Sequence, residues 1–195
     1  MSTRFDFSTF PLLRTKRLLL REITFRDTEA IFRIRGDYEV TRHNIGAAYE
    51  SSADARRLIE QMRKRYREKT EVRWGITLLG GDNSVVGMCG YNHWHRIDQR
   101  GSIGYDLARA YWGKGVMREA AQAITDFGFE RMDLNRLEAD VGAGNAASIK
   151  LLKALGFQHE GTQRDYYYEE DEFHDLHLYG LLRREWEAEM SKRNG

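Results

Sequence analysis

Ile103-Gly104-Tyr105-Asp106-Leu107, then Ala108-Arg109-Ala110, then Tyr111-Trp112-Gly113-Lys114-Gly115 is the stretch on which the fold turns. A β-rich run ends, a loop with two glycines bends the backbone, and an amphipathic pattern begins. Val116, Met117, Ala120, Ala121, Ile124 and Phe127 recur along one side of a helix over about residues 115–129. The first turn of such a helix leaves backbone N–H groups without intrahelical partners, and with the helix dipole these make an anion site. Glycines at 113 and 115 let a pyrophosphate approach the main chain with no side chain in the way. This is not a Walker loop, because Gly115 rather than Ser or Thr follows Lys114, and Arg118 at the third glycine position makes a poor dinucleotide fingerprint. Taken alone, Gly-x-Gly before a helix also serves as a packing turn.

Working outward, residues 72–79, 84–91 and 101–107 read as strands, rich in β-branched and aromatic residues. Gly80-Gly81-Asp82-Asn83 separates the first two and Asp98-Gln99-Arg100 precedes the third, which predicts antiparallel hairpins. Upstream, residues 17–23 form a short apolar strand. Asp27 is placed to cap a helix carrying Ala30, Ile31 and Ile34, and a second helix spans about residues 52–69. Downstream come a strand at 135–141, a helix at 145–155 stopped by Gly156, and strands near 158–164 and 173–182. The order β-α-α-β-β-β-α-β-α-β-β predicts a mixed α/β fold of the α+β kind, with a mostly antiparallel central sheet and helices on both faces.

The chain has 195 residues, and its only proline is Pro11, so one domain over 1–195 is expected. Lys plus Arg is 31 and Asp plus Glu is 30, a formal charge of +1 that does not point to a nucleic-acid partner. No apolar run approaches the roughly 20 residues of a membrane helix, and residues 1–10 lack the pattern of a signal peptide. The lone Cys89 rules out an intramolecular disulfide and a paired-thiolate zinc site. These readings converge on a cytoplasmic, single-domain protein of mixed structure.

About thirty residues beyond the glycine loop stands Asn145-Ala146-Ala147-Ser148, followed by Leu155-Gly156-Phe157 and Glu160-Gly161. Together with Thr15-Lys16-Arg17-Leu18-Leu19-Leu20-Arg21, Ile103-Gly104-Tyr105 and Tyr111-Trp112-Gly113-Lys114-Gly115, the chain resembles the GNAT acetyltransferases. Within them it is most similar to the RimJ/RimL-type N-terminal acetyltransferases. The resemblance implies a GNAT domain with its core at about 14–183, binding acetyl-CoA as co-substrate, with no metal. Two neighbouring parallel strands, 102–107 and 136–141, would splay apart to admit pantetheine. The cofactor-binding residues would be Leu107, Trp112, Gly113, Lys114, Gly115, Val116, Asn145 and Ser148. The acceptor would be a primary amine, first of all a protein N-terminus of ribosomal-protein type. A small amine such as a polyamine, an amino acid or an antibiotic is the alternative, and a non-catalytic acetyl-CoA sensor a further one. A homodimer is compatible with the resemblance, though no segment compels one.

Two departures from the family pattern matter. Ala110 stands where Gln or Arg often opens the phosphate motif, with Arg109 one position early. Leu152 stands where many members place a tyrosine acid. Ser148, in the place the RimJ/RimL branch gives to serine, is the expected proton donor to the leaving thiolate, and Asn145 is both a helix cap and a cofactor contact. The general base stays open among His93, His95, Asp106, Glu138 and a water chain, because Ser102 replaces the glutamate relatives often carry. His93 and His95 share a face if their strand continues, but no third metal ligand accompanies them. The segment Asp165-Tyr166-Tyr167-Tyr168-Glu169-Glu170-Asp171-Glu172 is expected as an acidic loop at the acceptor site, or as a solvated hairpin tip.

Overall fold

Strands form where apolar residues alternate. Leu18 and Leu20 of β2 (Leu18–Glu22), and Val72, Trp74 and Ile76 of β3 (Val72–Leu78), all point to one face and are fully buried. The computed structural model describes residues 5–43, 48–169 and 171–194. Residues 1–4, 44–47, 170 and 195 lie outside them, including Glu170 of the acidic segment and the start of the stretch read against a signal peptide. Completing the sheet are β1 (Leu13–Arg14), β4 (Gly87–His95), β5 (Arg100–Leu107), β6 (Arg136–Gly142), β7 (Gln158–Glu169) and β8 (Glu172–Leu182). They make one eight-stranded sheet in the order β1-β2-β3-β4-β5-β6-β8-β7, antiparallel throughout except for the central β5–β6 pair.

That parallel pair decides where a site can lie. β5 and β6 share a ladder only at Arg100↔Arg136, Gly101↔Leu137 and Ser102↔Glu138. Beyond Ser102 the strands part, so residues 103–107 and 139–142 have no ladder partner across the gap. The sheet thus opens as the family resemblance implied.

The helices are α1 (Thr28–Arg35), α2 (Tyr38–Thr41), α3 (Ser52–Arg67), α4 (Val116–Glu130), α5 (Ala146–Ala154) and α6 (Arg183–Asn194). One face of the sheet packs α4 and α5 in the larger core, with Ile103, Leu107, Leu137, Ala139 and Val141 against Ala120, Ala121, Ile124 and Leu152. The other face packs α1 and α3, where Ala55, Ile59 and Met62 recur at helical spacing against Ile31, Ile34, Ile23 and Met88. Burying each such isoleucine contributes roughly 1.5–3 kcal/mol. Cys89 is fully buried, and burial pushes its thiol up to about 12, so it behaves as a small core residue.

Several elements differ from expectation, each for a physical reason. Ser84 closes a turn by donating its N–H to Asp82 at 3.0 Å, so β4 starts at Gly87 rather than Ser84. It then runs on to His95, past an irregularity between Tyr91 and His93. The acidic segment is mostly strand, with Tyr167↔His174 and Tyr168↔Phe173 in register, as the β propensity of three tyrosines favours. Asp27 occupies the cap position of α1, but its carboxylate accepts from Arg21 at 2.8 and 3.0 Å and from the Thr24 N–H at 2.8 Å. Helix α6, absent from the sequence reading, is polar over most of its surface. It is tethered by Trp186, which stacks on Phe129 and donates to Asp126 at 2.7 Å.

Candidate active site

At the head of α4 the backbone bends through two left-handed residues, Gly113 at φ 70° and Gly115 at φ 73°. Space around Gly113 is open, so it is the conformation and not crowding that calls for glycine there. The loop is clamped from the turn between β1 and β2. Glu119 accepts from the Thr15 hydroxyl at 2.6 Å, the Arg17 N–H at 2.8 Å and Arg17 Nε at 2.7 Å, while Arg17 Nη1 donates to the Lys114 carbonyl at 3.1 Å. Burial opposes the charge on Glu119, but the Thr15 and Arg17 bonds outweigh it and hold its carboxyl below the usual glutamate value. The Thr15-Lys16-Arg17 stretch therefore has a structural task, which is to hold the helix start against the sheet.

A cavity of about 280 Å³ lies in the gap between β5 and β6. It passes between the faces of the sheet. Ser102 and Asp140 line it on the side of α1 and α3, Tyr105 and Ser148 on the side of α4 and α5. Asn145 caps α5 by accepting the Ser148 N–H at 3.0 Å, which turns the first helical residues toward the cavity. The Ser148 side chain is 9% exposed, and its hydroxyl lies 2.7 Å from the Tyr105 hydroxyl. Burial pushes the Tyr105 phenol up to about 12, against the Ser148 hydrogen bond, so the pair keeps its protons at neutral pH.

The expected site residues divide. Ser148 and Asn145 line the cavity. Gly113, Lys114, Gly115 and Val116 form the turn into α4. Trp112 is half-exposed, and its indole N–H donates to the Leu107 carbonyl at 2.8 Å, so at Leu107 the fold supplies a partner of its own. Asp106 does not line the cavity. It is buried on the α1 side in an ion pair with Arg35 at 3.2 Å. Glu138 is engaged by Arg100 at 3.2 Å and Arg136 at 3.0 Å. His93 is exposed opposite Ser102, and His95 opposite Arg100 near the end of its strand. Among the described residues no group of side chains is arranged to hold a metal ion.

The cavity also takes in Tyr105, Asp140, His43 and Asn92, to which the sequence reading gave no role of their own, and Tyr167 from the acidic segment expected at the acceptor site. Strand alternation could have found Asp140, since Arg136, Glu138 and Asp140 share the polar face of β6. His43 follows α2. Burial and then Arg42 lower its pKa, Glu169 and Glu39 oppose them, and His174 adds to the lowering. The Tyr167 hydroxyl closes over Gly142, where any side chain would collide with it.

The arrangement fits a long ligand with an anionic head and an amide-bearing arm. The anion meets the glycine turn, and the parted strand edges offer backbone groups to the arm. The sequence comparisons agree with this fit. Residues 17–158 match the acetyltransferase (GNAT) domain family. The uncharacterised N-acetyltransferase p20 of Bacillus licheniformis is 37% identical over 174 residues, covering 89% of this chain and 97% of that one. YdaF of Bacillus subtilis (strain 168), named as a candidate ribosomal N-acetyltransferase, is 33% identical over 141 residues, covering 71% and 75%. The fold is shared with a RimL ribosomal L7/L12 α-N-protein acetyltransferase in complex with coenzyme A, at a TM-score of 0.80, 19% identity and coverage of 88% and 98%. No helix among the described residues is long and apolar enough to cross a membrane. With a matched domain over most of its length and the opened parallel pair at its centre, the chain belongs to the GNAT acetyltransferase family.

Proposed function

We propose that the chain acts as one domain that moves an acetyl group from acetyl-CoA to a primary amine by direct attack, the first choice of acceptor being a protein N-terminus. The observation that carries this reading is the hydrogen-bonded Ser148–Tyr105 pair inside the cavity where the two parallel strands part. The residues that would hold acetyl-CoA are Gly113, Lys114, Gly115 and Val116 at the anion turn, with Asn145 and the parted edges of β5 and β6. When bound, acetyl-CoA supplies the activated acyl carbon and a thiolate leaving group.

The protein's own part is proton management. Tyr105 is kept protonated by burial and its hydroxyl lies 2.7 Å from Ser148 Oγ; in this reading the phenol donates to the serine, leaving the serine proton for the thiolate. Tyr105 is thereby a positioning residue and Ser148 the acid. The N-terminal acceptor is supported by the ribosomal names of YdaF and the RimL fold neighbour.

Two measurements test the reading. Thiol release from acetyl-CoA is expected with ribosomal-protein N-terminal peptides and not with polyamines, free amino acids or aminoglycosides. Release with a small amine alone replaces the acceptor assignment, and tight acetyl-CoA binding without release replaces catalysis by sensing. Ser148→Ala is expected to lower kcat about 100-fold while leaving acetyl-CoA affinity nearly intact by calorimetry. Collapse of affinity would make Ser148 a binding residue instead.

A further inference from the structure

Acetyl transfer to an amine requires a group that receives the acceptor's ammonium and relieves it of a proton. The sequence leaves that group open, and the structure removes most of the candidates named for it. Asp106 is committed to Arg35 and Glu138 to two arginines, while His95 stands near the outer end of β4. Each of those carboxylates has its charge met by a guanidinium before any substrate arrives.

Asp140 differs. It lines the cavity from β6, two residues beyond the last rung of the β5–β6 ladder and on the same side of the strand as Glu138. Among the described residues its carboxylate has no hydrogen bond and no ion pair. Asp140 itself is exposed, so its carboxylate stands at the open side of the cavity, where an incoming cation can reach it and meets no internal counter-ion first. The irregularity of β4 assembles its surroundings. Asn92 lines the same cavity, His93 pairs across to Ser102, and the charges of Glu138 and His93 both act on Asp140. Ser148 and Tyr105 stand at the same cavity from the opposite face of the sheet.

We propose that Asp140 is the catalytic carboxylate that binds the acceptor's ammonium and takes its proton, so that the site accepts amines in their cationic form. This rests on the acetyl-transfer reading above. Asp140 Oδ accepts one proton from R–NH3+, freeing the nitrogen lone pair. That pair forms the C–N bond to the acetyl carbon, and the C–S bond breaks with its electrons going to sulfur. Sulfur takes the Ser148 hydroxyl proton, and a second proton from the nitrogen restores the serine. The third stays on the amide, and Asp140 releases its proton to water. The surroundings suit this task. Partial desolvation by the cavity walls around this exposed residue, then the charge of Glu138, raises the Asp140 carboxyl above the ordinary aspartate value, and His93 acts in the opposite direction. Besides these two, the titratable groups at the cavity are Tyr105 from β5, His43 after α2 and Tyr167 from β7, while β8 sets the apolar Leu178 in register with Asp140.

The test compares the wild type, Asp140→Asn, Asp140→Glu and His43→Gln in full-length protein, with thiol release read from about pH 5 to pH 10 using an amine that the wild type acetylates. For D140N, kcat/KM near pH 7 is expected to fall about 100-fold and then to climb about tenfold per pH unit up to the amine's own ionisation, near 8 for an α-amine. The free amine then no longer needs a receptor. The wild type holds level over that window, D140E recovers part of the loss, H43Q keeps the level pH dependence whatever its rate, and all four bind acetyl-CoA within about twofold by calorimetry. A D140N profile like the wild type's overturns the proposal, as does loss of the wild-type plateau in H43Q alone, which would move the role to His43. Loss of acetyl-CoA affinity in both Asp140 variants makes the residue structural and overturns it too. A wild type that releases no thiol with any amine sinks the acetyl-transfer reading itself, and this inference with it.

Discussion

Tyr105 and Ser148 meet at 2.7 Å from two elements far apart in sequence, and the meeting has a measurable consequence. Tyr105→Phe removes one buried hydroxyl and leaves the ring that packs against the larger core. Losing one hydrogen bond of about 1.4 kcal/mol lowers kcat about tenfold, with acetyl-CoA affinity and thermal midpoint nearly unchanged. A loss as large as that of S148A would make Tyr105 the acid itself. At this scale the sequence was half legible. Ser148 and Asn145 could be read because a capped helix start and a family motif coincide on them. Alternation along β6 puts Asp140 on the polar face with Arg136 and Glu138, but neither it nor local spacing says that this face borders a gap, and no pattern at all marks His43. Asp106 was misleading for the same reason. It shares a strand with Tyr105 but points to the other side, where Arg35 already waits.

The turn into α4 is the element whose sequence says most. Left-handed φ at Gly113 and Gly115 costs a residue with a Cβ about 1–2 kcal/mol. Either Gly113→Ala or Gly115→Ala is therefore expected to weaken acetyl-CoA binding about tenfold while circular dichroism keeps its helical signature. Unchanged affinity in both would mean that the turn serves packing only. The same turn depends on Glu119, fixed by Thr15 and Arg17 from the β1–β2 turn a hundred residues earlier. Long-range support of that kind is invisible to a local reading, as were α2, which is a single turn long, and α6, whose apolar anchor is Trp186 stacked on Phe129. The acidic segment was read as an acceptor-site loop or a hairpin tip, and its strand content was missed: the register gives Tyr167 and Tyr168 to the ladder.

For the molecule as a whole, two carboxylates tie the sheet to its helices: Asp27, held by Arg21 beside α1, and Glu119, held by Thr15 and Arg17 on α4. Burial works against the charge on each, yet their hydrogen bonds leave both with pKa values below the usual ones. A carboxyl depressed in the folded state stabilises the protein above its unfolded value, near 4, and that contribution disappears as pH falls through the folded value. The urea midpoint should accordingly drop between about pH 5 and pH 2, and Asp27→Asn should flatten that slope. An unaltered slope in the variant would assign the acid sensitivity elsewhere. The architecture itself was legible, since hairpin turns and one strand-helix-strand unit leave few ways to arrange the chain. Because β5 and β6 share only three rungs, the sheet amounts to two panels on a short hinge, braced from behind by α4 and α5. Water can enter that seam without breaking a rung, so backbone amides beside it should be the first of the central sheet to exchange their hydrogens. Whatever lies along the seam acts as a splint, and the fold is stiffest while it is at work.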